Sequence, residues 1–329
     1  MAELWDLEGC PRSWYRVCGS RELRPGAVRR WDLLGRSLVV WRGRQSGEVH
    51  ALAAHCTHMG THLAFGEVVG DTLRCPLHHW QWGGDGACRA IPGAPPAAVR
   101  QRAFPVVETQ GSIYVFHGPV AHTSPPGLGG GDGTAFVTLA GSPVSLACPW
   151  YAVASNGFDM QHMRTVHGRA LRHEPRIERL DRWRLTMRLE TRVTGRTFED
   201  RVIRWLSRDH VRLTVTCFGG TVVAVESRLG RIRTGLLLCL HPTPTGVDVT
   251  PVYAIPRSRW AGPGLRIARA LYSGFIRKDV AFMDDMRFRR SRSGPADPVL
   301  ETFLDYLQEL PLDSELDERA AAMPTGGFA

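Results

Sequence analysis

Cys56-Thr57-His58-Met59-Gly60-Thr61 and, further on, Cys75-Pro76-Leu77-His78-His79-Trp80 decide how this chain is read. Each stretch carries a cysteine with a histidine close behind it, first as Cys-x-His and then as Cys-x-x-His, the second followed directly by another histidine, His79. Two thiolates and two imidazoles suit a [2Fe–2S] centre in which two histidines replace two cysteines on one iron. They also suit zinc, which accepts Cys₂His₂ sets. The order argues against a zinc finger, where both cysteines precede both histidines. Here each cysteine is paired with its own histidine, as two loops giving one ligand to each iron would require.

A chain of 329 residues is long enough for two ordinary domains. Met1-Ala2-Glu3-Leu4-Trp5-Asp6 lacks the basic start and apolar run of a secretory signal. Leu236-Leu237-Leu238-Cys239-Leu240 is too short to span a bilayer and reads as a strand. A cytoplasmic protein is expected. The six cysteines outside the cluster pattern (Cys10, Cys18, Cys88, Cys148, Cys217 and Cys239) read as reduced thiols in a reducing compartment. The net charge is +9, with Lys278 as the only lysine, yet no nucleic-acid motif accompanies it. A basic surface that docks an acidic redox partner and a merely solvated basic surface both remain open.

Residues 14–117 alternate short apolar runs with turns. Leu38-Val39-Val40-Trp41 and Val49–Leu52, separated by a Gly43–Gly47 turn, predict a hairpin, and Ser112-Ile113-Tyr114-Val115-Phe116 a closing strand. An all-β domain over residues 1–118 is expected. Residues 119–142, with Pro125-Pro126-Gly127 and Gly129-Gly130-Gly131, read as a linker. Over residues 143–313, Trp183, Leu185, Met187, Leu189 and Thr191 alternate with charged or polar neighbours, the period of a half-buried antiparallel strand. Similar runs recur at 211–217, 221–227, 234–240 and 247–255. Ile267, Leu271, Phe275, Phe282 and Met286 then predict a helix. Residues 314–329 are expected to fray. The fold class is α+β: an all-β domain, then an antiparallel sheet with helices.

Asn156-Gly157-Phe158-Asp159-Met160-Gln161-His162-Met163-Arg164-Thr165-Val166-His167-Gly168 is the second unusual stretch. Five steps along an ideal helix turn about 140° away, so His162 and His167 converge only if the helix is irregular or ends there. Gly168 suits the C′ position of such an end. Two histidines and a carboxylate with open positions form the facial triad of non-haem Fe(II) oxygenases. Asp279, on a face with Phe275, Phe282 and Met283, is the expected carboxylate; Asp284 and Asp285 are its rivals. Asp159 also suits a helix N-terminus.

The two cluster loops resemble the Rieske domain of non-haem iron oxygenases and their ferredoxins. Respiratory-type Rieske proteins add a disulfide-forming cysteine to each loop, where Thr61 and Leu77 stand here. The family's usual glycine after the last ligand is His79. Asn-x-x-Asp-x-x-His-x₄-His, followed far along by Asp279-Val280-Ala281-Phe282 and by Arg287-Phe288, is similar to the catalytic domain of the same oxygenases. The similarity runs over residues 14–310 and is nearest to ketosteroid hydroxylases, cholesterol desaturases and aromatic O-demethylases. The family's usual aromatic after the aspartate segment is Met283 here.

The resemblance implies that Cys56 and Cys75 hold one cluster iron, that His58 and His78 hold the other, and that His162, His167 and Asp279 hold Fe(II). It implies a homotrimer in which one chain's cluster serves its neighbour's iron, with Asp159 bridging His162 to a cluster histidine and Asn156 near the iron as a non-ligand. It further implies O₂ as co-substrate and electrons from NAD(P)H through a separate flavin/Fe–S reductase or ferredoxin. No Gly-x-Gly-x-x-Gly fingerprint is present in the chain. The expected substrate is a small apolar molecule, with Phe158, Met160, Met163, Phe275, Phe282 and Met286 as candidate pocket residues, and the expected outcome hydroxylation, demethylation or desaturation. An electron carrier with an inactive second domain is the alternative.

Overall fold

Leu38-Val39-Val40-Trp41 is the β-branched and aromatic run that fits a pleated surface. It lies in strand Arg36–Arg42, paired antiparallel with Val28–Leu33 on one side and Val49–Ala53 on the other. The computed structural model describes residues 7, 9–130, 133–290 and 297–312. Two units emerge, Trp14–Pro125 and the described residues of Met1–Ser13 with Pro126–Ala329.

The first unit is all β. One four-stranded sheet runs Val28–Leu33, Arg36–Arg42, Val49–Ala53, Ala103–Phe104, and another runs Glu67–Val69, Thr72–Arg74, Gln81–Trp82, Cys88–Ala90. A three-stranded sheet places Ser112–Phe116 between Trp14–Gly19 and Val106–Thr109. Trp41, Leu52, Leu63, Leu73 and Trp82 pack into one core cluster that also includes Cys56 and Cys75.

The second unit is built on a nine-stranded antiparallel sheet. Its order is Phe136–Ala140, Gly246–Pro256, Ile232–Thr243, Val222–Leu229, Val211–Phe218, Arg184–Val193, Arg169–Leu171, with Val144–Leu146 and Arg176–Arg179 pairing alongside. Leu185, Met187, Leu189 and Thr191 are all buried, as their period of two requires. Among the described residues five α-helices accompany it: α1 (Trp150–Asn156), α2 (Met160–Thr165), α3 (Phe198–Ser207), α4 (Ala261–Met283) and α5 (Pro298–Gln308). This is the α+β arrangement expected.

Three expectations need correction. Phe136–Ala140, inside the stretch read as linker, is a strand paired with Gly246–Pro256; five residues between glycine-rich segments hide its alternation. Ser13, read with the first domain, belongs to the second: its hydroxyl donates to the Phe218 carbonyl (3.4 Å) and accepts from Thr221 (3.0 Å). The inward face of α4 is Leu265, Ala268 and Met283, whereas Ile267 and Phe282 are exposed and Met286 lies beyond the helix end. An apolar residue on a helix carries no label saying whether its face is covered. The stretch 314–329 lies outside the described residues.

Helices α3 and α5 carry start signals that periodicity alone passes over. Thr197 caps α3 in a reciprocal box with Asp200. Asp297 caps α5, with Pro298 at its first position.

Candidate metal centres and cavity

In each cluster loop the cysteine amide closes a turn onto the carbonyl five residues on: Cys56 N to Thr61 O (2.9 Å) and Cys75 N to Trp80 O (2.8 Å). Cys56 and Cys75 are buried, whereas His58 and His78 are exposed with ring centroids 4.7 Å apart. Trp80 stacks on the His58 ring at 4.3 Å. Two buried thiols beside two exposed imidazoles fit the Rieske donor set, in which Cys56 and Cys75 would hold one iron and His58 and His78 the other. Burial pushes the Cys56 thiol up, and the neighbouring Cys75 thiol adds to this; a bound metal supplies the charge that makes the thiolates affordable. Gln101 was not singled out by its sequence, yet it braces the first loop. It is buried, accepts from Thr57 N (2.9 Å), and donates to the carbonyls of Ala53 (2.7 Å) and His55 (2.6 Å).

His79 sits at φ +59° and is exposed. A side chain in the left-handed region costs about 1 kcal/mol. His79→Gly is therefore expected to raise the denaturation midpoint of the first unit without changing cluster content. A lowered midpoint would show that the imidazole contributes a contact worth more than the backbone strain.

The second site forms where α2 stops. α2 ends at Thr165, the Val166 amide still donates to the His162 carbonyl (2.9 Å), and Gly168 then takes φ +60°. A Cβ at Gly168 would lie 2.6 Å from the Gly195 Cα, so glycine is required for space as well as conformation. The reversal turns His167 back, leaving its Nε2 2.9 Å from that of His162. Asp279, on α4, brings Oδ1 to 3.0 Å from His162 Nε2 and 2.9 Å from His167 Nε2. Asp284 instead accepts from the Ala147 amide (3.0 Å), and Asp285 occupies a left-handed turn.

These three contacts cannot all be hydrogen bonds. If both rings donate to the carboxylate, their two protons face each other; if one ring offers a lone pair, it meets the carboxylate oxygen. A cation shared by three lone pairs removes the conflict. Bonds of about 2.1 Å at right angles put neighbouring donors about 3.0 Å apart, so the triangle matches one face of an octahedron. Burial raises the Asp279 carboxyl, but hydrogen bonding from His162 and His167 outweighs it, and the net shift is downward. The donor set fits Fe(II).

Asp159 caps α2, accepting from His162 N (2.8 Å). Asn156, the last residue of α1, lines a cavity together with His167 and Asp279. Asp297 escaped notice in the sequence: besides capping α5 it accepts from the amides of Met160 (2.5 Å) and Gln161 (3.2 Å), so one carboxylate ties α5 to the start of α2. Arg169 is the other unforeseen residue. Its Nη1 donates to the carbonyls of His167 (2.9 Å) and Gly168 (3.1 Å) and to Asp200 (2.9 Å), and its guanidinium lies over Phe275. His167 Nδ1 is buried without a hydrogen-bond partner among the described residues, so packing against Phe275 (centroids 4.9 Å) and the carbonyl grip of Arg169 orient this ring.

The cavity wall is mostly apolar, with Met163, Met187, Leu213, Val225, Leu236 and Phe275 among its residues. Of the expected pocket residues, Met163 and Phe275 line it. Phe158 is instead stacked on Phe303 (4.0 Å) in the core, Met160 is also core, and Phe282 faces outward.

Residues 13–125 match the family of the Rieske [2Fe-2S] domain. A 120-residue stretch is 42% identical to a probable 3-ketosteroid-9-alpha-monooxygenase oxygenase component of Rhodococcus rhodochrous, covering 36% of this chain and 30% of that protein. A 170-residue stretch is 32% identical to cholesterol 7-desaturase of Bombyx mori, covering 49% and 36%. The chain thus spans about a third of the length of these curated relatives. In three dimensions it is similar to dicamba monooxygenase bound to dicamba (TM-score 0.68, 17% identity, 95% of this chain and 99% of that one). It is similar also to NdmA of Pseudomonas putida CBB5 with caffeine (TM-score 0.65, 18% identity, 90% and 88%). The first unit is a Rieske [2Fe–2S] domain. The fold resembles that of these two solved structures. Among the described residues, no helix is long and apolar enough to cross a membrane.

Proposed function

We propose that this chain is a terminal oxygenase component, acting in the cytoplasm. It receives electrons, originally from NAD(P)H, from a separate reductase or ferredoxin and uses O₂ to hydroxylate, demethylate or desaturate an apolar, ring-containing molecule. The observation that carries this reading is the triangle of His162, His167 and Asp279, with 2.9–3.0 Å sides, at an apolar cavity. Support also comes from relatives whose names specify monooxygenase and desaturase activities.

Cys56, His58, Cys75 and His78 would hold the [2Fe–2S] cluster, and His162, His167 and Asp279 the Fe(II), which supplies reductive O₂ activation when bound. The protein's own part is to orient and to exclude water. Asp279 would neutralise one of the two positive charges, and the imidazoles would serve as neutral donors. The apolar wall takes the substrate body and keeps bulk water from the reacting end. Asn156 offers an amide beside the iron residues without being a ligand. The test is metal content on anaerobically purified protein, with spectra before and after dithionite. About three irons per chain with a reducible Rieske signal is expected. About two irons would return the chain to an electron carrier, and zinc without iron would sink both readings.

In the proposed homotrimer, Asp159 links His162 to a cluster histidine of the neighbouring chain. Asparagine caps helices as well as aspartate does, so Asp159→Asn leaves α2 capped and both metal sites full while removing the charge. A linking carboxylate of this kind is worth about 10–100-fold, so turnover is expected to fall by that factor. Normal turnover with full metal sites would leave Asp159 a helix cap only.

A further inference from the structure

One part of the cavity wall is polar for no reason the iron site explains. Ser227 and Thr234 are direct partners across the antiparallel strands Val222–Leu229 and Ile232–Thr243. Tyr272 of α4 meets both: its hydroxyl donates to Ser227 Oγ (2.9 Å) and lies 3.0 Å from Thr234 Oγ1. All three residues line the same cavity as His167 and Asp279, and Ser227 and Thr234 are buried. The three hydroxyls carry three protons, and the two bonds among them use two. Whichever way the chain of bonds runs, one O–H remains without an acceptor among the described residues. A buried donor left unmade costs about 1–3 kcal/mol, so an oxygen on a bound molecule is its natural partner. Burial holds the Tyr272 phenol above its ordinary value, so it stays protonated.

The helix sets the distance. Tyr272 and Asp279 are seven residues apart on α4, two turns, and so share its inner face about 10 Å apart along the axis. Phe275 and Ile276 lie between them on the cavity wall and offer no hydrogen bond. Arg169, the cation on the wall, is already paired with Asp200.

We infer that Ser227, Thr234 and Tyr272 form a subsite for a carbonyl or hydroxyl oxygen at the end of a rigid multi-ring substrate remote from the carbon attacked. This rests on the oxygenase reading for events at the iron end and narrows its substrate class to oxygen-bearing, elongated ring systems. The trio selects and positions; it does not touch the reacting atoms.

The test is binding, measured by calorimetry on the purified chain. The probes are the four-ring ketone androstanone, with its oxygen at either end of the skeleton, and the hydrocarbon androstane. Tyr272→Phe and Ser227→Ala each remove one hydroxyl and little volume. For the better-bound ketone, the ketone-to-hydrocarbon affinity ratio is expected to drop about tenfold in at least one variant, the worth of one hydrogen bond, with androstane affinity unchanged. An unchanged ratio in both variants, or no ketone binding by the folded parent chain, overturns the subsite. Iron is counted on the same samples. Ketone selectivity with only two irons would keep the subsite and sink the oxygenase reading, whereas three irons without selectivity would sink the subsite alone.

Discussion

Asp279→Asn is expected to reduce iron from about three to about two per chain, leave the reduced-cluster spectrum unchanged, and abolish turnover. The substitution keeps the side-chain volume on α4, so a packing defect does not explain the loss. What disappears is the one anionic donor in a triangle whose sides are 2.9–3.0 Å. Metal catalysis contributes several kcal/mol, so losing the ion lowers the rate by about a thousandfold or more. Asp284→Asn is the paired control. That carboxylate accepts from the Ala147 amide, away from the triangle, so iron and turnover should both survive. A chain that kept three irons after Asp279→Asn would overturn the ligand assignment, and loss of iron in the Asp284 variant instead would transfer the role.

Arg169→Met is expected to cost about 3–5 kcal/mol of stability, read from chemical denaturation. Arg169 and Asp200 are each about 3% exposed and 2.9 Å apart. Removing the guanidinium strands a buried carboxylate, and breaking such a pair costs more than the pair is worth. Adding Asp200→Asn should recover a good part of the loss, because the amide needs no counter-charge. Burial raises the Asp200 carboxyl, but the bonds from Arg169 and Thr197 outweigh it and hold it below 3.8. Its contribution is therefore fully present above pH 3.8 and is lost as the pH falls through the lower, folded value. In Arg169→Met the acid limb of the stability profile should move to higher pH. The same variant frees the His167 and Gly168 carbonyls, so weaker iron retention should accompany it. A loss under 1 kcal/mol would mean that water reaches Asp200 in the native state.

Much of the site was legible because its chemistry is local. Two Cys/His pairs lie within short loops, and His162 and His167 lie five residues apart before a glycine that ends the helix. The strand around Leu185 declared itself by a period of two. The face of α4 was read less well: Phe282 was placed with Asp279 on the inward face and is exposed, and Phe158 belongs to the core under α5. Periodicity reports which residues share a face, not which of two adjoining faces is covered.

The residues that brace the site are the ones that escaped. Gln101, Asp297 and Arg169 are ordinary polar residues in sequence, and their meaning lies in partners 44, 137 and 31 positions away. The same holds for Ser227, Thr234 and Tyr272, which meet only because two strands pair in register and a helix crosses them. Sequence alone determined the donor types, their local spacing and the alternation that builds the sheets, since these depend on neighbours within a few residues. Tertiary structure alone decided which carboxylate completes the triangle, which buried charges are paired and where the cavity turns polar. Those outcomes depend on long-range packing, and desolvation makes each of them costly unless a specific distant partner is supplied.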